Sequence, residues 1–298
     1  MIYNIFEAWI YYNKLWLEGS KHYMDLNIIL VLKAIIIAIV EGVTEFIPIS
    51  STGHMIIVGD IINFKGGFAT SFEVVIQLGA ILAIIVLYWN KIWTSVVEFF
   101  QAKPSGVKFW TNIIVAFLPA AVFGFLLNDK IDEYLFNSRT VAVGLIVGGA
   151  LMIIIENKFR HKSVTESIEK INVKQSFKIG FFQCLALWPG MSRSASTIMG
   201  GWVCGVSTVA ATEFSFFLAI PTMVGATTLT LLKSGMNFTG GEIITLVIGF
   251  IVAFLVAMVV VEKFVSYLKK KPMKIFAIYR IIVGIALLLL IQVGVISL

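Results

Sequence analysis

Residues 41–55 read EGVTEFIPISSTGHM and follow an almost wholly apolar run, IILVLKAIIIAIV, at 28–40. Glu41 and Glu45 are four apart and so share one face of a helix. Continued as a single span, that helix would hold two carboxylates inside hydrocarbon, which is costly unless they are paired, hydrated or bound to a cation. Pro48, the hydroxyls of Ser50, Ser51 and Thr52, and Gly53 break the run in its middle. The pattern predicts a helix-loop-helix that dips and returns, its irregular backbone buried in protein or lining a wet cavity. A second such pattern lies within 179–206, where Pro189 is followed by Ser192-Arg193-Ser194-Ala195-Ser196. Ser50 to Phe72 and Ser192 to Phe214 both span 22 positions, so the two broken segments read as copies in register.

Around them the chain reads as a polytopic membrane protein. Of 298 residues, 59% are hydrophobic and 13% charged, and the mean hydropathy is +0.95, which leaves no sizeable water-soluble domain. Six spans, at 73–90, 109–127, 140–155, 212–232, 243–261 and 276–296, come close to the ~20 residues that a membrane helix needs. The linkers at 91–108, 157–178 and 262–274 carry fourteen Lys or Arg residues, against four at 59–72, 128–139 and 233–242. The positive-inside rule places the first set in the cytoplasm. The net charge of +6 therefore reports topology, and no nucleic-acid partner is expected. Cys184 and Cys204 offer neither metal-ligand nor disulfide spacing and read as packing residues. Residues 1–26, rich in Trp and Tyr but interrupted by charge, lack the layout of a signal peptide and read as an interfacial extension.

This topology makes the hairpin within 179–206 enter and leave on the cytoplasmic face and the one within 27–64 dip from outside. Each half, 27–156 and 179–298, is then one hairpin plus three crossings, joined by a cytoplasmic linker at 157–178. Three is odd, so the second copy is inverted. The expected fold is an all-α polytopic membrane protein, with six transmembrane helices and two re-entrant hairpins in an inverted repeat forming one domain over 27–298.

Arg193 lies in another apolar frame, WPGMSRSASTIMGG, where a lone guanidinium is as costly as the carboxylates. Meeting of the two tips would let each charge offset the burial of the other, gathering Arg193, Glu41, Glu45 and His54 around one cavity. Arg193 with Ser50, Ser51, Thr52, Ser192, Ser194 and Thr197, and the helix starts behind them, suits phosphate. The carboxylates suit a hard divalent cation bridging protein to phosphate, or one of them serves as a general base. Ser51 with His54 would make an activated nucleophile, but His54 as nucleophile or acid stays open. Any one hydroxyl, Gln77 or Gln183 could instead be an ordinary interhelix hydrogen-bonding group.

EGVTEFIPISSTGHM and PGMSRSAST resemble the two signature motifs of the integral-membrane undecaprenyl-diphosphate phosphatase family, the bacitracin-resistance type. FEVVIQLGAILA at 72–83 and EFSFFLAIPTMVGA at 213–226 extend the likeness over nearly all of the chain from residue 27. The resemblance implies hydrolysis of a polyprenyl diphosphate to its monophosphate in the bacterial plasma (inner) membrane, recycling the carrier for cell-wall synthesis, with dependence on Mg²⁺ or Ca²⁺. By motif position the catalytic set becomes Glu41, Glu45, Ser51, His54 and Arg193, with Glu41 and Glu45 also the metal ligands. Substrate binding falls to Ser50, Thr52, Gly53, Ser192, Ser194 and Thr197. Ala195 departs from the glycine expected there, a concern if that residue needs φ > 0. An active site facing outside is expected from the first hairpin, and a homodimer is left open. The alternative reading is a transporter or flippase of a phosphorylated lipid or anion.

Overall fold

The computed structural model describes residues 27–234, 238–268, 271–294 and 296, so the extension expected at 1–26 lies outside the described residues. In chain order the helices are α1 (Ile28–Thr44), α2 (Ser51–Ile62), α3 (Gly67–Leu87), α4 (Trp89–Phe100), α5 (Pro104–Leu135), α6 (Ser138–Phe159), α7 (Val173–Gln183), α8 (Arg193–Val203), α9 (Thr208–Ser234), α10 (Gly240–Leu268) and α11 (Lys274–Gln292). Short 3₁₀ turns occupy Arg160–Lys162, Ile168–Lys170 and Cys184–Leu187. Among the described residues, six helices are long and apolar enough to cross a membrane: α3, α5, α6, α9, α10 and α11. They coincide with the six expected spans but mostly run further, because hydropathy marks only the hydrocarbon-facing part of a helix whose ends lie in polar surroundings.

The two broken segments are helix-loop-helix hairpins, α1–α2 and α7–α8. At 1.5 Å per residue, the 12-residue α2 and the 11-residue α7 and α8 rise about 16–18 Å, well short of a ~30 Å hydrocarbon core. The basic stretch at 91–108, expected as a linker, holds most of the amphipathic helix α4, which begins at Trp89. Its Trp89 and Trp93 are exposed and stacked 5.7 Å apart, suited to the interface, while Lys91 bonds Glu169 at 2.8 Å and Glu213 at 3.3 Å.

Each hairpin docks on a long helix of the other half. α1 packs on α10 as α7 packs on α5, and α3 meets α10 as α9 meets α5; α6 pairs with α11 and α3 with α9 across the exchange. Glycine makes the docking close. A Cβ on Gly42 would lie 2.8 Å from the Ala253 carbonyl oxygen, and one on Gly180 would lie 2.2 Å from that of Ala116. The hairpin tips are thereby pressed into the middle of the bundle, facing each other.

Candidate active site

The tips share one backbone device. Ser50 (φ 73°, ψ 94°) precedes α2 and accepts from the Gly53 N–H at 3.4 Å, while Ser192 (φ 68°, ψ 121°) precedes α8 and accepts from the Ala195 N–H at 3.3 Å. A side chain at positive φ costs on the order of 1–2 kcal/mol, so the surroundings must hold it there. The positive φ falls on Ser192 and not on Ala195, which is a fully buried helical residue that has room for its methyl group.

The tips meet through Arg193 and Glu45. Arg193 Nη2 donates to Glu45 Oε1 at 2.8 Å, and Nη1 donates to the carbonyl and hydroxyl oxygens of Ser215 on α9 at 2.8 and 3.1 Å. The ion pair is largely dry, with side chains 10% and 5% exposed. The other Glu45 oxygen accepts from Ser51 Oγ at 2.5 Å. Ser194 Oγ donates to the Ile47 carbonyl at 3.1 Å, and Thr197 bonds Ser215 Oγ at 2.7 Å, so both brace the contact from behind.

A cavity of about 790 Å³ ends on this contact. Glu45, Ser50, Ser51, Thr52, Ser192 and Arg193 line its polar end together with Gln77 and Gln183. Phe117, Phe125, Leu187, Met223 and Leu229 form apolar walls, which continue to Phe136 and Leu232 near two of the three basic-poor linkers, 128–139 and 233–242. Gln183 also accepts from Thr222 Oγ1 at 3.4 Å, so it belongs both to the lining and to helix packing.

Glu41 lies outside the lining, fully buried, with both carboxylate oxygens lacking a hydrogen-bond partner. Ser51 is within reach of both carboxylates, but its single proton goes to Glu45, and the charges of Glu45, Glu73 and Arg193 act on Glu41. Two orphaned oxygens beside a second carboxylate fit a hard divalent cation. Among the described residues no cluster of three or more His, Cys, Asp or Glu could hold a metal, so such a cation would complete its shell with water and phosphate oxygens.

The expected Ser51–His54 pair is not formed. Ser51 turns to Glu45, while His54 is absent from the cavity lining and bonds the Ser50 carbonyl and Tyr279 OH, both at 2.8 Å. Gly53 likewise lies behind the lining, where a Cβ would sit 3.3 Å from Val141.

Arg280 on α11 was not among the residues singled out from the sequence. It is fully buried and binds both loops: Nη2 donates to the Gly190 and Met191 carbonyls at 2.9 and 2.8 Å, and Nη1 reaches the Pro48 carbonyl at 3.5 Å. A lone arginine within the span at 276–296 was itself the signal. Ser215 carried none, being one hydroxyl among many.

Helices, paired hairpins and a mostly apolar cavity with one polar end define a polytopic membrane protein with a buried acid–guanidinium contact at the polar end of that cavity. Residues 34–286 match the family model described as Bacitracin resistance protein BacA, and the chain belongs to that family. It is 62% identical over 262 residues to an undecaprenyl-diphosphatase of Clostridium tetani (strain Massachusetts / E88), covering 88% of this chain and 97% of the relative. An undecaprenyl-diphosphatase of Clostridium perfringens (strain SM101 / Type A) is 54% identical over 306 residues, covering 92% and 100%. Undecaprenyl-diphosphatase 2 of Clostridioides difficile (strain 630) is 52% identical over 283 residues, covering 92% and 99%.

Proposed function

We propose that this chain hydrolyses undecaprenyl diphosphate to undecaprenyl phosphate and inorganic phosphate, returning the lipid carrier to cell-wall synthesis and conferring bacitracin resistance. The observation that carries this reading is the Ser51–Glu45–Arg193 contact at the polar end of an apolar-walled cavity. The diphosphate takes the polar end, where the N-termini of α2 and α8 favour anions, and the isoprenoid chain follows the apolar walls.

In this reading Ser51 attacks the terminal phosphorus, its proton passing to Glu45 Oε2; the Ser51–Glu45 hydrogen bond supports that assignment. The bond from that phosphorus to the bridging oxygen breaks, and undecaprenyl phosphate leaves. Water then takes the phosphoryl group from Ser51, which recovers its proton from Glu45. Arg193 neutralises charge on the phosphate in transfer, where most of the catalytic effect in phosphoryl transfer arises. Glu41 and Glu45 would hold Mg²⁺ or Ca²⁺, which when bound supplies positive charge to the diphosphate oxygens. Ser50, Thr52 and Ser192 line the headgroup end, with Gly53, Ser194 and Thr197 shaping it from behind.

The hairpins dip into the plasma membrane from opposite faces, and the cavity opens outward. Support comes from the lining, which runs to Phe136 and Leu232 beside the basic-poor linkers. Purified full-length chain in detergent is expected to release inorganic phosphate from undecaprenyl diphosphate. A transporter of the same lipid would release none.

A further inference from the structure

His54 holds a backbone oxygen, and the hydrogen bonding fixes how. Its Nδ1 lies 2.8 Å from the Ser50 carbonyl oxygen, which can only accept, so Nδ1 carries the proton. Nε2 of the neutral ring is then an acceptor, and Tyr279 OH at 2.8 Å supplies the donor, with the two rings stacked 5.6 Å apart at 7°. Both ring nitrogens are engaged within the protein, away from the cavity.

The second tip repeats the contact with different chemistry. Ser192 is the counterpart of Ser50, 142 positions on, and the residue 142 positions after His54 is Ser196. Ser196 Oγ donates to the Ser192 carbonyl at 2.8 Å. Ser196 is fully buried and outside the cavity lining, so it touches no substrate there. In both tips, therefore, the side chain four residues on donates to the carbonyl of the positive-φ serine that starts the helix.

We propose that His54 is a positioning residue: it clamps the Ser50 carbonyl, thereby aiming Ser51 Oγ at Glu45, and Tyr279 fixes the ring in the tautomer that makes the clamp. This rests on the reading of the chain as a phosphatase that uses Ser51. The clamp is needed because a strained backbone persists only where its surroundings over-determine it, and the neighbouring peptide carries the attacking hydroxyl. The charged group whose field reaches the ring is Arg280, next to Tyr279 on α11.

The test separates the two ring nitrogens. In His54→Asn the amide sits where Nδ1 was and keeps the bond to Ser50; in His54→Gln it sits where Nε2 was and keeps only the bond to Tyr279. With full-length protein in detergent, His54→Asn should keep kcat within about ten-fold of wild type, with KM unmoved and both limbs of the pH–rate profile in place. His54→Gln should lose about 100-fold in kcat, the scale of an ångström misplacement at a reacting atom. His54→Ser, which copies the second tip, should side with Asn. Tyr279→Phe should cost about five-fold in kcat at unchanged KM, one hydrogen bond's worth. The proposal is overturned if the Asn and Ser variants, with wild-type thermal unfolding, are as inactive as Gln, or if the Asn variant loses a limb of the profile. It is also overturned if Tyr279→Phe leaves kcat unmoved. A wild-type protein that releases no phosphate would instead defeat the phosphatase reading, so the two failures are distinguishable.

Discussion

Replacing Arg193 by Ala removes three hydrogen bonds at once, the 2.8 Å bond to Glu45 and those to Ser215 at 2.8 and 3.1 Å. Arg193 and Glu45 are 10% and 5% exposed, so Glu45 is left as a buried charge without its partner. Breaking such a pair costs about 3–5 kcal/mol of stability. Activity should fall further, because an arginine on a phosphoryl group in transfer is worth about 10³–10⁵ in rate. That factor corresponds to about 4–7 kcal/mol of barrier. A second variant separates the two losses. Arg193→Met combined with Glu45→Gln removes both charges, so stability should return to within about 1–2 kcal/mol of wild type while turnover stays lost. The assay is release of inorganic phosphate from undecaprenyl diphosphate in micelles at saturating substrate, with thermal unfolding recorded on the same preparations. Wild-type kcat in Arg193→Ala, or turnover recovered in the neutral pair, would refute a role for Arg193 on the substrate.

Ser51→Ala should lower kcat by about 10³-fold or more, and acid-quenched wild type turning over labelled substrate should carry phosphate on Ser51; an unlabelled wild type would move the attack to water. Glu41→Gln should weaken Mg²⁺ binding, measured by calorimetry without substrate, at least about ten-fold; unchanged affinity would remove Glu41 from the cation site. Arg280→Met removes two short charged bonds to the Gly190 and Met191 carbonyls, so unfolding should cost about 3–6 kcal/mol less, with partial recovery in Arg280→Lys. In a chain with Cys184 and Cys204 replaced by Ala, a membrane-impermeant thiol reagent outside whole cells should label Leu232→Cys and spare Lys162→Cys. The reverse pattern would turn the cavity to the cytoplasm.

The membrane class, the six spans and the hairpin positions were legible in the sequence because the bilayer imposes simple demands. About 20 apolar residues must be supplied for each crossing, and interruptions by proline and hydroxyls stand out against them. That Arg193 would meet a glutamate was also legible. A guanidinium and two carboxylates in apolar frames cannot be buried apart at reasonable cost, and neither frame holds a local partner.

Direction was decided only by the tertiary structure. Glu41 and Glu45 share a helical face, since Glu45 is still helical in backbone and bonds back to the Glu41 carbonyl at 2.9 Å. Yet only Glu45, one turn nearer the tip, reaches the cavity lining, while Glu41 stays buried just behind it. Ser51 and His54 are three apart in one helix, near enough on paper to pair, but the rotation of α2 sends one to Glu45 and the other to Tyr279. Arg280 gains its meaning only when α11 brings it against three loop carbonyls that lie 89 to 232 residues away in the chain. Hydropathy and charge act on every residue wherever it sits, so a linear reading captures them. A hydrogen bond depends on distance and angle between groups from separate helices, and those are set only when the bundle packs.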